Sequence, residues 1–140
     1  MAIGMTKRGP RKTRSGGVTV PHDSGELGFE TGAGGSVTQT TDRATGVTIH
    51  KPCGTITTDA TSLAAEASAV FTVTNNKVAI GDVVVLSIRS GMVALNTRAT
   101  VTAVANGSFD ITIVNGNAAA GTAETGAIVI NFAVIKAVTA

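Results

Sequence analysis

From residue 36 onward, short β-branched runs alternate with turn signals about every ten residues. The spacing predicts eight strands, near 36–41, 45–50, 54–59, 68–74, 82–89, 97–105, 108–114 and 127–138, an all-β pattern that reads as a β-sandwich or jelly roll. Within 108–114, period two places Phe109, Ile111 and Ile113 on one face, opposite Asp110 and Thr112. In the last strand Ile128, Ile130, Phe132 and Val134 share a face, so these two strands are expected to supply much of the core. Between 97–105 and 108–114 stands Asn106-Gly107, the preferred pair for a two-residue type I′ hairpin.

The last strand is also apolar on its second face, where Val129, Ala133, Ile135 and Ala137 are interrupted only by Asn131. A monomeric sandwich shows polar residues there, so these four are the candidate oligomer interface; a covering loop is the alternative. Residues 60–67 read as a loop anchored by Leu63, and 115–126 as a long exposed or partner-covered loop with one charge, Glu124. Upstream, 17–35 offers only Val18, Val20, Leu27 and Phe29 as anchors and reads as an extended connector. Residues 1–16 have almost no apolar side chains to offset the entropy of ordering and read as a flexible basic arm. The organisation is arm 1–16, connector 17–35 and β-sandwich domain 36–140.

Composition agrees with this pattern. The chain has 140 residues, room for one core, and 49 of them are Thr, Val or Ile. Charged residues are 14%, against about 25% in an average soluble domain. Trp and Tyr are absent and Phe is only 4, which leaves no stacking platform for bases or sugars. Five of the 11 basic residues, Lys7, Arg8, Arg11, Lys12 and Arg14, precede the first acid at Asp23. Residues 15–140 hold six basic and nine acidic groups, a net −3. A single cysteine, Cys53, forms no internal bridge, which suits a reducing compartment. The basic N-terminus lacks the apolar stretch of a secretory signal, and the apolar run 127–135, broken by Asn131, is too short for a membrane helix, so no membrane association is expected.

The chemistry-bearing residues are sparse. His22 lies in the connector and His50 ends a predicted strand; the Gly-x-Ser-x-Gly elbow of a serine nucleophile is missing, so no enzyme and no cofactor are expected. His50 and Cys53 fall short of the four ligands a structural zinc needs, and no metal site is expected. Gly32-Ala33-Gly34-Gly35 lacks both the third glycine of a dinucleotide turn and the Gly-Lys-Ser/Thr of a phosphate loop. The arm alone is distinctive. Its cations could neutralise phosphates, dock on an acidic protein surface or serve only as a solubilising tail, and the sequence does not choose among these.

The stretch 32–58, GAGGSVTQTTDRATGVTIHKPCGTITT, and the ending INFAVIKAVTA resemble a family of small β proteins from tailed bacteriophage virions. The resemblance covers about 28–140 and is marked by GAGG-x-VTQ, by TGVT, by Leu63-Ala64-Ala65 before FTVTN, and by the closing run 131–135. TDRATGVTIHK stands where a TSKSTGVTLNK-like run is expected; the changes fall on surface side chains and leave the strand pattern intact. The resemblance implies a virion structural protein with no catalytic residues to carry over. Small size favours a head decoration or cement protein, made in the host cytoplasm, that bridges capsomers on the outer surface of the capsid. Its partners would be the major capsid protein and further copies of itself, a homotrimer by the symmetry of similar proteins. The capsid-docking arm would act through Lys7, Arg8, Arg11, Lys12 and Arg14. The alternative is a tail or head fibre module for host recognition. Nucleic-acid binding through the arm is disfavoured by the acidic body and the lack of interleaved aromatics.

Overall fold

The computed structural model describes residues 27–137. The five arm residues lie outside the described residues. The chain divides into two units after Gly32; residues 27–32, in the first, contain no strand, and all eight strands belong to the second.

The strands are β1 (Gly34–Thr38), β2 (Val47–Thr48), β3 (Cys53–Thr57), β4 (Ser68–Thr74), β5 (Val83–Ser90), β6 (Thr97–Ala105), β7 (Ser108–Asn115) and β8 (Val129–Ile135). They form two four-stranded sheets, ordered β1-β3-β8-β5 and β2-β4-β7-β6. Of the two expected architectures the chain takes the sandwich. β1 pairs with β3 and β2 with β4 in parallel, because the first four strands alternate between the sheets; the remaining pairs are antiparallel.

Alternation builds the core. Phe109, Ile111 and Ile113 of β7 face Ile130, Phe132 and Val134 of β8 across the sandwich, all buried, with Ile56, Phe71 and Val73 beside them. The rings of Phe109 and Phe132 meet across the sheets at 5.8 Å between centroids. Burying each such side chain contributes roughly 1.5–3 kcal/mol.

The β6–β7 connection is the expected two-residue hairpin, but its turn is not type I′. Only Gly107 has a positive φ, 83°, whereas type I′ needs one at Asn106 as well. Tertiary bonds override the local preference. The Asn106 side chain accepts the Ile80 N–H at 2.8 Å, Gly107 N–H donates to the Val78 carbonyl at 2.9 Å, and the Gly107 carbonyl accepts the Asn75 N–H at 2.8 Å.

Strand directions gather four connections, 39–46, 58–67, 91–96 and 116–128, at one end of the sandwich, here the upper end. Leu63 anchors its loop as expected: it is buried, and its backbone exchanges two hydrogen bonds with Glu124. The expectation that 115–126 is exposed fails at Asn115 and Glu124, both fully buried. Asn115 donates its side-chain amide to the Leu63 and Thr122 carbonyls and so holds the loop inward.

Candidate functional site

Two surface features follow from this architecture. The first is the outward face of the β1-β3-β8-β5 sheet. Register places Val83 beside Ile135, then Val85, Ala133 and Cys53 in the next row, then Ser87, Asn131 and Thr55. The lower half of this face is therefore apolar and the middle row polar; Thr55 donates to the Asn131 side-chain oxygen at 3.3 Å. Exposures of 52% at Val83, 47% at Val85 and 55% at Ile135 show that no described loop covers the patch.

The four residues expected as an oligomer interface thus divide. Ala133 and Ile135 belong to the patch. Val129 lies beyond the polar row beside Thr57 and Ser90, and exposed Ala137 follows the end of β8. Sequence reading missed Val83 and Val85, because β5 is apolar on both faces and only the register shows which face looks outward. Cys53, half-buried in this patch, has its thiol pKa pushed up by burial, with Lys51 pulling weakly the other way.

The second feature is at the upper end, where a buried polar clasp holds an apolar loop. Glu124, the only charge in its loop, is fully buried among four donors. The Thr97 hydroxyl donates to its carboxylate at 2.7 Å, the Gly126 N–H at 2.8 Å, and the Val93 and Ala94 N–H groups at 3.0 Å. Burial alone would raise the Glu124 pKa, but these hydrogen bonds outweigh it and hold the carboxyl below its ordinary range. Arg43, also buried, spends its guanidinium on the opposite backbone groups. It donates to the Gly126 carbonyl at 2.8 Å, the Glu124 carbonyl at 3.1 Å, the Thr58 hydroxyl at 3.2 Å and the Thr61 carbonyl. Its pKa is lowered by burial and supported by the charges of Glu124 and Asp59. Thr58 completes the join by accepting the Ile128 N–H at 3.0 Å.

Among the described residues every buried side-chain nitrogen or oxygen has a partner. Arg43 and Glu124 therefore have no free capacity for a substrate; they tie four loops together. Neither was singled out as buried in the sequence, because their partners lie up to 83 residues away. The available signal was a lone acid in an otherwise uncharged loop.

The clasp fixes the loop 91–96 while leaving its large side chains in water. Ala94 is fully buried, yet Leu95 is 84% exposed and Val93 51%, and Met92 stands beside them. Thr97 N–H closes the turn on the Ala94 carbonyl at 3.0 Å, and the Asn96 side chain donates to that of Asn117 at 2.9 Å. Surface connections are commonly polar at such positions. Here three large apolar side chains in four are held out on a hydrogen-bonded backbone.

His50 is exposed and accepts the Asn76 N–H at 3.1 Å. No group of three or more His, Cys, Asp or Glu that could hold a metal occurs among the described residues. Compared with family models, with curated proteins and with solved structures, the chain matches none.

Proposed function

We propose that this chain is a structural component of a bacteriophage particle, a decoration or cement protein that binds the outer surface of the head and bridges capsomers. The observation that carries the reading is the apolar loop 91–96 hydrogen-bonded through its backbone to buried Glu124, with Met92, Val93 and Leu95 presented to solvent. A loop backbone fixed before contact loses little conformational entropy on docking, so more of the burial of its side chains goes into binding. The apolar outward patch, the low charge density and the family resemblance of 32–58 support an adhesive rather than a catalytic role.

Two docking elements act together. Lys7, Arg8, Arg11, Lys12 and Arg14 engage acidic groups on the capsid, and the loop fills an apolar depression between subunits. A protein that binds only the assembled shell raises shell stability by linkage, and many copies make small contributions large. The test is co-sedimentation of the full chain with tailed-phage heads that lack it, alongside gold labelling of intact virions. Leu95→Asp and a variant with the five arm cations replaced by Ser should each weaken head binding at least tenfold while keeping the β-sheet circular dichroism. Absence of binding by the unaltered chain overturns the reading, as does label confined to the tail, which would favour a host-recognition module.

A further inference from the structure

We infer that β5 is a self-association edge, along which two copies of this chain pair antiparallel about a twofold axis to form one continuous eight-stranded sheet. β5 is the terminal strand of its sheet and, among the described residues, pairs only with β8, which leaves one row of its backbone N–H and C=O groups without a ladder partner. Such an edge is a template for another strand, and proteins usually blunt it with Lys, Pro or inward-pointing charge. Residues 83–88, Val-Val-Val-Leu-Ser-Ile, carry none of these. The one blunting device is the register shift between Ile88 and Ser90, at the Arg89 end, which leaves 83–88 available.

The occupant follows from the rest of the wall. Beside β5 lies β6, the terminal strand of the other sheet, and residues 99–105 are also free of charge. A lone extended peptide would cover β5 and leave β6 wet, whereas a second copy brings a matching β6. Arg89 and Arg98 both lie at the upper end, so an antiparallel twofold places the arginines of the two copies at opposite ends of the contact. Paired side chains must point to the same side of the sheet, so a register centred near Val85 sets Val83 opposite Ser87 and Val84 opposite Leu86 of the second copy. Six residues at 3.4 Å each span about 20 Å, and two sheets roughly 10 Å apart give a wall about 20 Å deep. The contact then buries on the order of 800 Å² in total, below the standard interface size, which fits a weak, concentration-dependent dimer.

This inference does not depend on capsid binding, and its test uses the full chain alone. Sedimentation equilibrium from 1 to 200 µM should show a monomer–dimer equilibrium. Val85→Lys, at an exposed position, should keep the β-sheet circular dichroism and weaken the dimer at least tenfold. Amides 83–88 should exchange more slowly at high than at low concentration in the unaltered chain and not in V85K. A monomer across the whole range overturns the inference. So does a trimer, which no twofold pairing produces, or a dimer that V85K leaves unchanged.

Discussion

Replacing Glu124 by Gln tests the clasp with the least change of shape. Its carboxylate oxygens serve four donors: Oε2 accepts from Thr97 and Ala94, Oε1 from Gly126, and both from Val93. In Gln one oxygen becomes an NH2, which faces donors and accepts nothing. The better orientation keeps the oxygen toward Thr97 and Ala94, where it still lies 3.2 Å from the Val93 N–H, and leaves the Gly126 N–H without an acceptor. A stranded donor costs about 1–3 kcal/mol, and that is the expected loss, a substantial part of the roughly 5–15 kcal/mol that holds a domain together. For a domain of this size the melting temperature falls by about 4–12 °C. Urea unfolding at pH 7 measures the difference directly, and its pH dependence identifies the cause. Because the folded-state pKa is depressed, the contribution of Glu124 is fully present above the unfolded value of about 4.3 and is lost as pH falls through the folded value. The gap between unaltered chain and variant should therefore hold from pH 7 to about 5 and narrow below about 4. A Gln variant within 0.5 kcal/mol of the unaltered chain at pH 7 would refute the reasoning.

Gly126→Ala tests the same end by crowding. A Cβ there would stand 1.8 Å from the Gly91 carbonyl oxygen, itself fixed by a positive φ of 85° at Gly91, so stability should fall by roughly 2–4 kcal/mol in urea titration; a neutral result would mean that the two loop backbones part easily. Cys53, with its thiol pKa raised by burial, should react with a maleimide more slowly at pH 7 than a cysteine in the urea-unfolded chain, and equal rates would show that the outward patch leaves it open.

All eight strands were legible because each is a short β-branched run with its own turn signals; 68–74 and 97–105 coincide with β4 and β6 to the residue. The ends were harder. The last strand, expected over 127–138, is only Val129–Ile135, because the Ile128 N–H goes to the Thr58 hydroxyl and the Ala137 N–H to the Asp82 carboxylate rather than into a ladder. The second strand shrinks from 45–50 to Val47–Thr48, which pair with Val73 and Thr74 at the end of β4. The apolar second face of β8 was legible from its period, but Val83 and Val85 needed the register. The clasp left only one trace, the lone acid Glu124 in an otherwise uncharged loop. Arg43, Thr58, Thr97 and Glu124 each look like ordinary surface polar residues until the fold brings four distant loops together.

The clasp also bears on what the upper end is for. Burying an Arg and a Glu costs desolvation that their mutual attraction rarely exceeds, and apolar residues of similar volume often stabilise a core equally well. Removing one partner is costly because it strands the groups that relied on it, a different matter from the net worth of the arrangement. What an apolar replacement could not do is accept the N–H groups of Val93 and Ala94 or donate to the carbonyls of Thr61, Glu124 and Gly126. Those bonds specify backbone positions in the loops that surround Leu95. The buried charges therefore contribute conformational precision more than stability, and its beneficiary is the loop 91–96, whose Met92, Val93 and Leu95 face water. A connector needing only to join β5 to β6 would have no use for such definition; a contact surface that must match a partner without reorganising does.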